Sequence, residues 1–306
     1  MIVSCGEALI DFLPVKDTGG NDAYRPVVGG SPYNVALTIG RLGVPAGFLG
    51  GVSTDFFGDM LAAELERSKV ALDYVERSGR PSTLAFVSLA HDEPAYAFFD
   101  ENSAERLDDP ATRPLGPEVE ALHFGSISLI PPPIGDRLEA LMAAERGRRV
   151  ISYDPNVRPS LITDGAAFRA RVERMAAMAD IVKISGADLE WLYPGVPVAE
   201  TAARWRAAGA GLVVVTRGGK GVIAFAADGS VESPIVPVTV ADTVGAGDSF
   251  TGGLLARLSE LGHLTVGSVR ATPLAALQTA LDFANRVAAI TCSRPGADPP
   301  WRHELG

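Results

Sequence analysis

Apolar and polar residues follow two patterns along the chain. Over the first hundred residues, short strand-like runs lie close together. Residues 1–5 form an apolar strand that leads into Gly6-Glu7-Ala8-Leu9-Ile10-Asp11, and residues 12–28 carry Pro14, Gly19, Gly20 and Asn21, which predict a hairpin or loop. Ser31-Pro32 predicts a helix start, with Ser31 as cap and Pro32 at the first position. Val35, Ile39 and Leu42 form its apolar stripe, and Gly43 ends it. Residues 44–49 predict a second strand, and Phe57, Met60, Leu61 and Leu65 mark a second helix. Residues 82–90 and 95–99 predict a strand pair turning at His91-Asp92-Glu93-Pro94. The two strand-rich stretches, 12–28 and 82–99, are expected to pair into a small sheet apart from the main body.

After residue 110 the pattern becomes regular. Strands are predicted at 119–124, 148–153, 180–184 and 211–216, separated by helices at 134–146, 165–179 and 198–208. Such alternation predicts a parallel sheet covered on both faces. Strands at 221–226 and 231–236 flank a turn at Asp228-Gly229, and 274–293 reads as a long alanine-rich helix. Residues 110–117 and 131–133 are short proline-rich loops, and no internal repeat is present.

The 306 residues are 47% hydrophobic, enough for a sizeable core. A net charge of −10 argues against a nucleic-acid partner bound by neutralising phosphates. It leaves room for a small anionic ligand, which needs only a local positive potential. The two cysteines, Cys5 and Cys292, form no metal-binding cluster and read as thiols of a reducing compartment. No signal peptide and no membrane-spanning run is visible, so a cytoplasmic location and no membrane partner are expected.

Chemistry concentrates at residues 242–253, Asp-Thr-Val-Gly-Ala-Gly-Asp-Ser-Phe-Thr-Gly-Gly. Gly245 and Gly247 make a turn that opens a helix, whose first N–H groups have no intrahelical acceptor and can bind an anion. Asp248 at that spot would repel the anion unless it has chemical work beside it, as a base for an attacking hydroxyl. A glycine turn with Asp248 as an ordinary helix cap is the alternative reading.

In an open parallel sheet, ligands bind beyond the carboxyl ends of the strands. Asp154, Asn156 and Arg158 follow one predicted strand, Ser185 and Asp188 the next, and Thr216, Arg217, Gly218 and Gly219 the one after. Their common placement predicts one ligand site. Gly219-Lys220-Gly221 is not a P-loop, because Gly221 stands where Ser or Thr would bind Mg²⁺. The dinucleotide fingerprint of a dehydrogenase is also absent after the first strand. In the amino-terminal half, Asp11 is expected at the same sheet edge. Together with Gly29, Gly30 and Asn34 it offers donors and acceptors suited to a polyol such as a sugar.

In combination these motifs resemble the ribokinase-like, or phosphofructokinase-B type, family of carbohydrate kinases. Gly29-Gly30-Ser31-Pro32-Tyr33-Asn34 is similar to its amino-terminal signature, and 242–250 to its carboxyl-terminal one. Asp154-Pro155-Asn156-Val157-Arg158 and Phe124-Gly125-Ser126-Ile127-Ser128-Leu129 look most like bacterial fructokinases. The resemblance implies a single α/β domain over residues 1–306. Its three-layer fold has a mostly parallel sheet between helices, with a small β-lid from about 12–28 and 82–99. It also implies roles. Asp248 matches the catalytic base, and the amides of Gly245, Ala246 and Gly247 match the anion hole. Asp11, Gly29, Gly30 and Asn34, with Phe98 and Arg158, are expected to hold the sugar. Ser185, Thr216, Gly218, Gly221 and Asn285 fall on the nucleotide side. Asp242 and the backbone near Val244, Arg294 and Gly296 match a monovalent-cation (K⁺) site. The family's usual Asn-x-x-Glu is Ser185-Gly-Ala-Asp188 here, so Asp188 would organise Mg²⁺ with a shorter reach.

The activity implied is ATP- and Mg²⁺-dependent phosphorylation of a sugar's primary hydroxyl, with fructose first and ribose or another neutral sugar second. Asp100 and Glu101, near the lid, would repel an acidic sugar. A non-catalytic sugar- or nucleotide-binding regulator is the alternative from another class, although it would not need Asp248. The edges of the lid strands make a homodimer through the lid an expectation.

Overall fold

A computed structural model of the chain, describing residues 1–88 and 95–306, resolves the predicted elements into two sheets. In chain order the strands begin with β1 (Ile2–Cys5), β2 (Leu9–Lys16), β3 (Asp22–Gly29), β4 (Ala46–Ser53), β5 (Val70–Ala71) and β6 (Val75–Ser78). They continue with β7 (Thr83–Ser88), β8 (Ala95–Phe99), β9 (Ala121–Gly125), β10 (Val150–Asp154) and β11 (Ile181–Ser185). The last are β12 (Leu212–Thr216), β13 (Val222–Ala226) and β14 (Gly229–Ser233). The helices are α1 (Ser31–Arg41), α2 (Phe56–Arg67), α3 (Ile134–Glu145), α4 (Gly165–Met178), α5 (Gly186–Leu192), α6 (Val198–Ala208), α7 (Ala246–Glu260) and α8 (Leu274–Cys292).

The larger sheet runs β14-β13-β12-β11-β10-β9-β1-β4-β5, with β6 also paired to β4. It is parallel except at β13 and β14, which return antiparallel along one edge. Its central strands, β9 to β12, read as mainly apolar runs because both faces are covered. Successive residues point to opposite cores: Ile2, Val150 and Ile181 pack into one, Val3, Ile151 and Val182 into the other. The first core takes in α1, α7 and α8 through Ile39, Leu254 and Leu281. The second takes in α3, α4 and α6 through Leu138, Val172 and Trp205. This is the expected α/β architecture, with a mostly parallel sheet between two helical layers.

The strand-rich stretches pair with each other, in the order β3-β2-β7-β8. β2 and β3 are antiparallel, β2 joins β7 in parallel, and β7 and β8 are antiparallel. The predicted turn at His91 to Pro94 lies outside the described residues.

Four expectations need adjustment. Ser31 is the first residue of α1, and Gly30 is its cap at φ 109°. Asp11 lies within β2 of the small sheet rather than at the end of β1. β14 starts and ends earlier than the predicted 231–236, because Pro234 has no N–H to continue the ladder. α5 spans only seven residues, too few for a periodic signal, and was not predicted.

Candidate active site

Because β9 to β12 run parallel, their carboxyl ends share one edge of the larger sheet, and α7 begins there. Gly245 caps α7 in the left-handed region at φ 72°, and a Cβ on it would also lie 2.5 Å from the Ala297 Cβ. The first turn of α7 presents N–H groups at the positive end of the helix dipole. One of them, on Ala246, already makes a 3.3 Å bond to the Thr243 carbonyl. Asp248 is inside the helix rather than at its cap, so the capping alternative fails.

Two glycines of the same motif bring a second helix to this aspartate. A Cβ on Gly252 would lie 2.6 Å from the Thr38 Cβ, and one on Gly253 3.2 Å from the Ala284 Cα. Their absence lets α7 press against α1 and α8. α1 then delivers two donors. The Ser31 hydroxyl donates to Asp248 Oδ1 at 2.6 Å, and the Asn34 amide donates to Oδ2 at 2.9 Å. Burial pushes the Asp248 carboxyl up from the ordinary range, while Ser31, Asn34 and the Lys183 charge pull it back. Asn34 Oδ1 is itself buried and has no donor.

Lys183, on β11, was not singled out from the sequence. Its Nζ donates to Asp154 Oδ2 at 2.7 Å, and the two side chains are 6% and 3% exposed. A Cβ on Gly247 would lie 3.2 Å from that nitrogen, so the lysine sits against the first turn of α7. Burial alone would lower the lysine's pKa; the Asp154 charge and hydrogen bond more than offset this and raise it. A lysine inside the apolar run Ile181-Val-Lys-Ile was the visible signal for it.

Asp11 faces the same site from the small sheet. A Cβ on Gly29 would lie 2.3 Å from Asp11 Oδ2, so the glycine makes room for that carboxylate, while Gly30 packs against the Glu7 carbonyl. Burial pushes Asp11 up to about 6, opposed by the charge of Arg158 and reinforced by that of Asp248. The Arg158 head folds onto its own loop, donating to Asn156 Oδ1 at 2.7 Å. Phe98 is opposite Ala85, which is opposite Asp11, so Phe98 and Asp11 share one cross-strand row and one face. Phe12, Tyr24, Phe86 and Phe99 lie on the opposite face, where Phe12 and Phe86 stack at 4.5 Å and Tyr24 and Phe99 are exposed. Asp100 is not the bare negative charge expected, because Arg106 pairs with it at 2.5 Å.

At the ends of β11 and β12, Ser185 and Thr216 are register partners. Ser185 Oγ accepts the Asp188 N–H at 3.0 Å and caps α5. Burial pushes the Asp188 carboxyl up, with Asp154 reinforcing the effect. Gly218, at φ 54°, has open space around it, whereas Gly221 abuts the Ser233 carbonyl. Asn285 gives its amide hydrogens to Ser233 Oγ and the Pro234 carbonyl, at 2.6 and 3.0 Å. Asp242 accepts from the Val244 and Gly296 N–H groups at 3.0 and 2.9 Å and ties their two loops together. The Arg294 head turns away from it to Glu304 and Asp298.

The chain and its fold have counterparts in known proteins. The family model described as pfkB family carbohydrate kinase matches residues 1–304. A fructokinase of Rhizobium leguminosarum bv. trifolii is 45% identical over 283 residues, which is 92% of this chain and 87% of the relative. The solved fructokinase of Xylella fastidiosa with bound ATP superposes with a TM-score of 0.87 at 26% identity, covering 99% of this chain and 97% of that one. A fructokinase of Vibrio cholerae O395, in its fructose, ADP and calcium ion bound form, gives 0.84 at 28% identity, covering 97% and 94%. Two signatures in order, a buried aspartate at a helix start and a match spanning nearly the whole chain lead to one conclusion: this protein belongs to the pfkB carbohydrate kinase family.

Proposed function

We propose that the protein is a fructokinase, transferring the γ-phosphoryl group of ATP to the primary hydroxyl of D-fructose to give fructose 6-phosphate. The observation that carries this is Asp248, buried at the start of α7 and held by donors from α1 on both oxygens. The curated relative with 45% identity is a fructokinase, and solved relatives hold ATP, or fructose with ADP.

The sugar binds between Asp11, Asn34, Gly29, Gly30 and Arg158, under the small sheet acting as a lid, with Phe98 on the sugar-facing side. A sugar hydroxyl donating to Asn34 Oδ1 supplies the donor that this buried oxygen lacks. A carboxylate is too weak to ionise a sugar hydroxyl in advance. Asp248 instead accepts the proton as the new O–P bond forms, which suits a loose transition state. The amides of Gly245 and Gly247, with Ala246 between them, meet the charge on the transferred group. Thr216, Gly218, Gly221, Ser185 and the Asn285 oxygen line the nucleotide side.

Mg²⁺, when bound with ATP, neutralises phosphate charge. Among the described residues no three acidic, histidine or cysteine side chains cluster as a metal cage. Asp188 alone fits such an ion, which typically takes one or two carboxylates plus phosphates and water. Asp242, with the loops of Val244, Arg294 and Gly296, fits as the anchor of a K⁺ site. The exposed aromatics on the outer face of the lid favour a homodimer through it, which sedimentation equilibrium would show as twice the 32.0 kDa chain mass.

A coupled ADP-release assay over D-fructose, D-ribose and a sugar acid tests the substrate. Turnover should be highest with fructose and lowest with the acid. Higher kcat/KM on ribose would assign a different substrate, and sugar-independent background alone would remove the kinase reading.

A further inference from the structure

Ser31 is held from two sides. Its N–H donates to Glu7 Oε1 at 3.0 Å, and Glu7 Oε2 accepts the Ser128 N–H at 3.3 Å. Glu7 is 1% exposed, so its carboxylate is an internal strut joining the end of β1, the start of α1 and the turn after β9. The packing around the strut is tight. A Cβ on Gly6 would lie 2.5 Å from the Ser128 hydroxyl and 2.7 Å from Pro32 Cγ. The Ser31 side chain leaves this strut and reaches a different helix, donating to Asp248 Oδ1 at 2.6 Å.

We propose that Ser31 is a positioning residue for phosphoryl transfer: anchored through Glu7, its hydroxyl fixes one oxygen of the Asp248 carboxylate and aims the remaining lone pairs at the acceptor hydroxyl. The proposal rests on Asp248 being the base. A carboxylate rotates freely about its last bond unless both oxygens are held. Asn34 holds Oδ2 and Ser31 holds Oδ1, and each oxygen keeps a second acceptor site. Both donors also favour the ionised carboxylate, which burial disfavours. Ser31→Ala removes the side-chain donor and leaves the Glu7 bond intact, because that bond uses the backbone. With one donor gone, less of the base is ionised at a given pH, so the acid limb of the rate profile moves to higher pH.

The test is kcat and kcat/KM for fructose against pH, with ATP and Mg²⁺, for wild type, Ser31→Ala, Ser31→Thr and Asp248→Asn, with a thermal melt of each. Ser31→Ala should lower kcat about tenfold, the scale of one hydrogen bond to a charged group. Its acid limb should shift upward while KM for ATP holds. Ser31→Thr keeps the donor and should return both kcat and the limb toward wild type. A Ser31→Ala enzyme with wild-type kcat and limb overturns the proposal, as does a threonine variant as impaired as the alanine one at equal Tm. If Asp248→Asn turns over normally, the base assignment fails first and takes this proposal with it. An inactive Asp248→Asn beside an unaltered Ser31→Ala overturns the Ser31 proposal alone.

Discussion

Glu7 shows how a single buried carboxyl couples this site to pH. Burial pushes it up to about 7, against an ordinary 4.5, and its own N–H, the Ser128 and Ser126 hydroxyls and the Ser31 N–H only partly restrain the rise. The folded protein therefore holds this proton more tightly than the unfolded chain does. The stability it contributes is complete below about 4.5 and is lost as pH rises through about 7. Wild type should lose Tm across that window, and Glu7→Gln, which cannot ionise, should lose less. Equal losses in the two proteins would show that Glu7 does not set the slope. The sequence made the individual chemistry of Asp248, Gly245 and Asn34 legible, because a glycine turn and a helix start are written in neighbouring residues. It did not reveal the Ser31 hydroxyl on Asp248, since those residues are 217 positions apart and only packing joins them.

The contact of α1 with α7 turns two helices into one site. Gly252 is its pivot, because an added Cβ would fall 2.6 Å from the Thr38 Cβ and α1 would have to move away. Gly252→Ala should cost about 1–3 kcal/mol of stability, as overpacked cores do. It should also lower kcat, since Ser31 and Asn34 retreat from Asp248. Melts and steady-state kinetics on that variant check both effects, and wild-type values for both would mean that the contact is slack. The strands β9 to β12 were legible as apolar runs because each is buried on both faces. α5 was missed because its seven residues show no periodicity. Ser31 was misplaced by a position because serine before proline is the usual mark of a cap, whereas here Gly30 at φ 109° makes the turn and frees the serine side chain.

Taken whole, the chain brings an acidic protein to an anionic substrate by local means. The net charge is −10, and Asp11, Asp154, Asp188 and Asp248 all lie near the ligand edge. Lys183, Arg158 and the positive start of α7 oppose them there. The fold class was readable from alternation alone, and the partnership of the two strand-rich stretches from their lack of helices. β8 carries aromatics on both faces, and only the register shows that Phe98 shares a face with Asp11 and Phe86 with Phe12. Among the described residues no helix is long and apolar enough to cross a membrane. In the proposed reaction Asp248 receives the proton of fructose's primary hydroxyl during transfer from ATP. The most direct test is kcat for fructose-dependent ADP release by Asp248→Asn, with fructose affinity measured on the same preparation. With Asp248 as the base, kcat should fall by roughly 10²–10⁴-fold with fructose binding retained; near-normal turnover in that variant would rule that role out.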